Sequence, residues 1–214
     1  MSRVTSENVR RRMSGAARRE QILDVALAIV DREGFHAATP ARIADEAGVH
    51  RTLIYQQFGD VTGLFVALVD REGDRDQADF AAAVASAEGL AGLEQLRAVL
   101  ARLIEAIDEN PASWRLFLSP PLGAPAEFGR RLEVSQERVR KYLAEVVADI
   151  GLDQLDPELT ARVMHAGARE LLAFRLENPD SAAVDRLLEF ADRMGAGLLM
   201  LQKLASRLGR EASL

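Results

Sequence analysis

The stretch AGVHRTLIYQQF, Ala47 to Phe58, decides the fold. Gly48 ends one short helix, because glycine takes the left-handed conformation that stops a helix without a Cβ clash. Val49 lies in the turn and plugs the core. A new helix then runs from His50 or Arg51 to Phe58. Ile54 and Phe58 are four apart, so they share one face, and that face points inward. Successive residues rotate by about 100°. Thr52, Leu53 and Gln56 therefore fall on the side away from Ile54 and Phe58, flanked by Arg51, Tyr55 and Gln57.

Working outward, Thr39 and Pro40 mark the start of the preceding helix. A threonine hydroxyl accepts a bond from a free backbone N–H of the first turn, and proline at the first helical position loses nothing. That helix turns Ile43, Ala44 and Ala47 inward. Before it, a longer helix over 17–33 carries the stripe Ile22, Leu23, Ala26, Ile29 and Val30 and ends at Gly34. Two short helices joined by a glycine turn, backed by a third, form a helix-turn-helix. Its second helix suits the major groove. Arg51 can contact a phosphate or a guanine edge, and Gln56 an adenine edge. Leu53 and the Thr52 methyl suit a thymine methyl, and the Tyr55 hydroxyl reaches a phosphate. Thr39 and the free N–H groups beside it offer a second phosphate contact. The competing reading of the same spacing is a plain helical hairpin.

The run REQILDVALAIVDREGFHAATPARIADEAGVHRTLIYQQFGDVTGLF, beginning at Arg19, resembles the DNA-binding module of the tetracycline-repressor family of bacterial transcription regulators. The matching pieces are IL early in the first helix, EGF before the second, IADEAGV through the turn and IYQQF in the recognition helix. The resemblance covers about Arg19 to Leu68. It implies DNA contacts at Thr39, Arg42, His50, Arg51, Thr52, Leu53, Tyr55, Gln56 and Gln57. Three departures stand out. His50 replaces the usual serine-like cap, Thr52 and Leu53 stand where a small residue is common, and Val61 occupies a position that often holds a phosphate-binding lysine.

Charge agrees with a DNA-facing end. The formal net charge is -6, yet residues 1–58 hold nine Arg against seven Asp or Glu, and the first 19 residues hold six Arg against Glu7. One end is basic and the body acidic, which orients a protein on a polyanion. The arm residues Arg10, Arg11, Arg12, Arg18 and Arg19 are candidates to replace the missing lysine from the backbone or minor groove. A solvated basic tail is the plainer reading of 1–15. There is no cysteine, so disulfides and thiolate metal sites are excluded. No run of roughly 18 apolar residues suggests a membrane span, and no signal-peptide stretch follows the N-terminal arginines. The expectation is a cytoplasmic protein with no membrane partner.

Beyond Phe58, six of the seven prolines cut the chain into helix-sized pieces, near 61–87, 91–109, 111–118, 125–150, 157–177 and 181–208. Asp60 and Ser181 are candidate caps, and Gly73 is a candidate break. The SPPLGAP turn reads as a mobile lid or a rigid connection. Leu159, Val163, Ala166, Gly167, Leu171 and Phe174 line one late helix. The last shows Val184, Leu187, Leu188, Ala191, Met194, Leu198, Leu201, Ala205 and Leu208, with Phe190, Gly197 and Leu204 widening the stripe. A helix apolar over so much of its surface is buried on more than one side. Pairing of these last two helices with their symmetry mates predicts a homodimer. Both faces satisfied within one subunit is the alternative.

In the resembled family the larger C-terminal domain usually holds a small-molecule pocket. Trp114, Phe117, Phe128, Met164, His165 and Phe174 are the candidate lining residues, although each also reads as ordinary core. No catalytic or metal-ligating constellation is legible and no cofactor is implied. His50 and His165 lack partners at a recognisable catalytic spacing, and GAGLL at Gly195 follows no strand. The sequence thus predicts an all-α protein. It has a flexible basic arm over 1–15, a three-helix helix-turn-helix domain over 16–60, and a larger helical ligand-binding and dimerisation domain over 61–214. The function it predicts is a ligand-responsive regulator, a repressor, that binds a palindromic double-stranded DNA operator. The alternatives are a helical DNA-binding or interaction protein without a small-molecule response, and a helical enzyme with a regulator-like N-terminus.

Overall fold

A computed structural model describes residues 14–121, 123–150 and 155–211, with side chains described only in part beyond 200. Among the described residues there are nine α-helices and no strand. They are α1 (Gly15–Glu33), α2 (Pro40–Glu46), α3 (Arg51–Phe58), α4 (Val61–Ser86), α5 (Gly92–Glu109), α6 (Pro111–Leu118), α7 (Ala126–Asp149), α8 (Pro157–Glu177) and α9 (Val184–Glu211). A single turn of 3-10 helix, Phe35–Ala37, joins α1 to α2 and had no counterpart in the sequence reading. No single described helix is long and apolar enough to cross a membrane.

Capping explains most boundaries. Ser14 Oγ accepts from the Ala17 N–H, Thr39 Oγ1 from Arg42, Asp60 Oδ1 from Gly63 and Asp156 Oδ1 from Leu159. Each bond satisfies a donor that the first helical turn would otherwise leave free. Two expectations need correction. α4 runs through Gly73 unbroken. Asp70 and Asp74 on either side of it are tied to Arg131 of α7, so a neighbour compensates for the weak glycine. Ser181 caps nothing, because α9 begins three residues later.

Two main cores are built on these helices, beside a small third cluster of Ala83, Ala87 and Val99. The first gathers Ile22, Ala26 and Ile29 of α1, Ile43 of α2, Ile54 of α3, and Leu64 and Leu68 of α4. It also includes Leu116 and Phe117 of α6 and Phe128 of α7. Packing therefore crosses the boundary placed at residue 60. The second joins Leu100, Ile104 and Ile107 of α5 with Trp114, Leu172, Leu176, Leu187 and Leu188. The short helix α6 touches both, giving Trp114 to one and Leu116 and Phe117 to the other.

Ionic ties reinforce the junction. Arg71 of α4 donates to Asp24 and Glu20 of α1 at 2.8 and 3.1 Å and to Glu72 at 2.7 Å. Glu72 is fully buried, and Arg75 supplies its second cation at 3.2 Å. A buried carboxylate persists only when paired in this way. Arg115 of α6 reaches Asp31 of α1 at 2.5 Å. The turn between α6 and α7 also rests on the first core, where Ala124 packs and where a side chain at Gly123 would touch Phe35. The described part of SPPLGAP thus lies against the first core; Leu122 lies outside the described residues.

Candidate nucleic-acid interface

The interface is built on α2, the turn Ala47–His50 and α3. Gly48 sits at φ 62°, the left-handed conformation the turn requires. Val49 is half-buried against the first core, plugging the angle between the helices. His50 caps α3: its Nδ1 accepts from the Thr52 N–H at 3.3 Å and lies 2.9 Å from Thr52 Oγ1. The histidine thus does the work of the usual serine, through a ring nitrogen that accepts only when unprotonated.

α1 holds this unit from behind. Gln21 Nε2 donates to the Ala47 carbonyl at 3.1 Å, at the end of α2. Arg19 Nη1 donates to the Gln57 carbonyl at 2.9 Å, and its guanidinium lies 4.3 Å from the centre of the Phe58 ring. A cation bonded to the last carbonyls of a helix is favourable both as a cap and against the helix dipole. Arg18 bonds Gln21 at 3.0 Å. Arg18 and Arg19 are therefore engaged residues of α1 rather than parts of a free basic arm, whereas Arg10, Arg11 and Arg12 lie outside the described residues. Sequence reading missed this because a helical arginine and a tail arginine look alike in a charge count.

The far end of α3 is fixed by glycine. Gly59 has φ 80°, and a Cβ on Gly63 would collide with the Phe58 carbonyl oxygen. The first turn of α4 thus packs directly on the end of α3. The tightness of that approach cannot be read from a glycine in sequence.

The predicted contact residues divide three ways. Thr39, His50, Arg51, Thr52, Tyr55 and Gln56 are exposed on one side of the unit. Gln57 is half-buried. Leu53 differs from expectation: it is half-buried and packs on the edge of the first core, so its apolar group does not face outward. The two-sided face of an eight-residue helix is wider than the Ile54–Phe58 spacing suggests. Arg42 is the third case. Its guanidinium bonds both oxygens of Glu33 at 2.6 and 2.7 Å and Glu46 at 2.9 Å, while Arg32 bonds Glu46 at 3.2 Å. The bonds from Arg42 hold the Glu33 and Glu46 carboxyls below the usual carboxylate range and raise Arg42 in return.

This is an exposed, donor-rich helix held from behind by a buried core, with its axis fixed by a cap, two glycines and α1. Comparison with known proteins identifies it. Residues 22–68 match the family described as bacterial regulatory proteins, tetR family. The chain is 24% identical to the HTH-type transcriptional activator FasR of Mycolicibacterium smegmatis over 179 residues, 81% of each. It is 28% identical to the HTH-type transcriptional repressor KstR of Mycobacterium tuberculosis over 162 residues, 68% of this chain and 72% of that one. The solved structure of a TetR-like transcriptional regulator from Rhodococcus sp. RHA1 superposes with a TM-score of 0.73 at 25% identity, covering 88% of this chain and 99% of that one. Residues 22–68 are thus a tetR-family DNA-binding module, and the chain resembles regulators of that kind over most of its length. It is a transcriptional regulator that binds DNA through its helix-turn-helix.

The six candidate ligand residues are not brought together. Phe117 and Phe128 stack in the first core, centroids 5.6 Å apart. Trp114 belongs to the second core, and Phe174 packs against it under the Arg186 guanidinium. Met164 is half-buried and His165 buried. Burial, with Arg169 and Arg140 nearby, pushes His165 down to about 4. A cavity of about 80 Å³ lies instead between α1 and α6, lined by Leu27, Val30, Asp31, Ala112, Arg115 and Ser119 among others. None of the six candidates lines it.

Proposed function

We propose that this regulator is a cytoplasmic repressor, that it binds a palindromic operator as a homodimer formed through α8 and α9, and that a small molecule in the helical body releases it. One observation carries the dimer. On α8, Leu159 and Val163 are 62% and 73% exposed; on α9, Phe190, Met194, Met200 and Leu204 are 52%, 55%, 75% and 54% exposed. Leu159 and Val163 are four apart, and the α9 residues fall within one face. Apolar stripes of this kind on adjacent helices call for a matching surface, and a two-fold axis supplies one from a second copy. The stripes expected on these helices thus have an outward part. Met194, named in the stripe of α9, belongs to it, and Leu201, Ala205 and Leu208 lie outside the described side chains. Gly195 serves the inner side, where Leu93 of α5 packs against it; Gly197 faces open space.

A two-fold dimer sets its recognition helices about 34 Å apart, or a multiple of that, and reads inverted repeats. The effector reading rests on α6 and α7. α6 takes part in both cores and α7, through Phe128, in the core beneath α3, so a displacement of α6 by a bound molecule is felt by the reading head. Such coupling is a differential affinity of the ligand for two arrangements of one dimer.

Selection of bound duplexes from random DNA, combined with light scattering of the free protein, tests the proposal. A palindrome and a dimeric mass are expected. A monomer that enriches a single unrepeated site contradicts the assembly. Trp114, the only tryptophan, is buried in the second core and reports effector binding by fluorescence. A compound that shifts its emission yet leaves operator affinity unchanged contradicts the response.

A further inference from the structure

α3 carries two exposed rows of side chains. Arg51 and Tyr55 form one, Thr52 and Gln56 the other; each pair is four residues apart and so stacked along the helix. The rows stand about 100° apart around the axis. Ile54 is fully buried, with Phe58 packed on the core beside it, and Leu53 and Gln57 are half-buried on the flank beyond. Thr52 and Gln56 therefore point most directly away from the body of the protein. When the helix enters a groove, that direction is the floor, where base edges lie. Arg51 and Tyr55 point to one side, where the wall of phosphates stands.

The hydrogen bonds of the flanking pair are specific. Arg51 Nε and Nη2 donate to the Tyr55 hydroxyl oxygen at 3.3 and 2.8 Å, and the guanidinium lies 5.4 Å from the ring centre. Those bonds occupy the phenol oxygen as acceptor, leaving its own hydrogen to donate outward. The Nη1 hydrogens of Arg51 take no part in the bonds to Tyr55. The pair offers donors and a positive charge and no acceptor. An acceptor-only anion is its complement. A guanine edge also offers two acceptors, but Arg51 would have to abandon Tyr55 and swing through roughly a right angle to reach it.

We propose that Arg51 and Tyr55 act as one clamp on a single backbone phosphate, and that base selection rests on Thr52 and Gln56. This deepens the operator reading above and depends on it. Gln56, with a donor and an acceptor side by side, matches the N6 and N7 of adenine, and the Thr52 methyl suits a thymine methyl. The operator half-site then carries an A·T pair read by Gln56, and no G·C pair read by Arg51.

The test uses the full chain and compares the wild type with Arg51→Ala, Tyr55→Phe, their double variant and Gln56→Ala. Each is subjected to selection from random duplexes and to affinity measurements across a salt series. Arg51→Ala and Tyr55→Phe are expected to enrich the wild-type sequence. Arg51→Ala should bind it about tenfold more weakly, with a salt slope shallower by about one. The double variant should fall within about twofold of Arg51→Ala, because the two groups serve one phosphate. Gln56→Ala should keep the slope and lose about tenfold of the preference for one A·T pair per half-site. Tyr55→Phe removes only an oxygen and guards against misfolding of the arginine variant, and circular dichroism checks both. A wild type that enriches no duplex overturns the operator reading and the clamp with it. A wild type that enriches one, while Arg51→Ala recodes a G·C position with an unchanged slope, overturns the clamp alone. Multiplicative losses in the double variant also overturn it.

Discussion

Among the described residues, two helix faces lie uncovered, one on α3 and one shared by α8 and α9, and their chemistries suit opposite kinds of partner. On α3 the exposed groups are polar side chains and a cation, each already well solvated by water. Such a face costs little when free and gains by exchanging water and counterions for a polyanion. On α8 and α9 the exposed groups are Leu159, Val163, Phe190 and Met194, which water does not solvate favourably. Each square ångström of that surface taken out of water is worth about 25 cal/mol, so a second apolar surface is the stable solution. An exposed stripe of one chemistry suits an interface, and whether salt weakens it says which kind.

The largest expected effect breaks the apolar side of this comparison. A Val163→Asp, Met194→Asp double variant places charges on the stripe while touching nothing in either core. Light scattering should give half the wild-type mass. Operator affinity should fall more than about 100-fold, since one reading head must then bind without its twin. High salt should not dissociate the wild-type dimer, whereas it should release DNA from α3. A variant that remains dimeric would place the interface elsewhere.

Next in size is the joint that aims α3. Gly63→Val drives a side chain into the Phe58 carbonyl. The backbone there has no flexible end to move aside, so a cost of about 2–3 kcal/mol is expected. Thermal melting measures it, and operator affinity should fall further than the melt alone explains. His165 gives an effect of similar size within the body. Its folded value is about 4 against an ordinary 6.5, so the unfolded chain binds the proton more readily. Above pH 6.5 both states are neutral and the group contributes nothing. As pH falls from 6.5 to 4 the folded state loses up to about 3 kcal/mol. Chemical denaturation across that window should show His165→Gln losing less stability than the wild type on acidification. Parallel curves would mean that the ring is solvated.

The difference between the two faces also explains what the sequence revealed. The reading head is local. Thr39, Pro40, Gly48 and the Ile54–Phe58 spacing fix α2, the turn and α3 within twenty residues, and the helices lie where those signals place them. The bounds of α5 and α6 were equally legible, because Pro111 and the amphipathic period are local too. What escaped was non-local. Arg19 reads as basic tail until α1 is set against the carbonyl of Gln57. Leu53 reads as groove-facing until the core edge rises to meet it. Trp114 and Phe117, three apart, read as one pocket wall, but α6 lies between two cores and sends them to different ones. A spacing of three settles a face only when one face of the helix is buried.

The smallest expected effect sharpens the polar side. Arg42, expected on DNA, is held by Glu33 and Glu46 beside Thr39. A phosphate arriving there meets a cation whose charge is already answered by two carboxylates, and it must displace them. All three groups stand in water, so the exchange is nearly balanced and its effect modest. Removing the competitors should tip it. Glu33→Gln, Glu46→Gln takes away two negative charges near the DNA and frees the guanidinium. Affinity should rise several-fold at low salt, with a steeper salt slope, and the gain should vanish when Arg42→Gln is added. A rise that survives that third change would come from the general field of the two lost charges and not from Arg42. In that case the arginine serves to join α1 to α2, and the polar interface is narrower than the exposed surface around it.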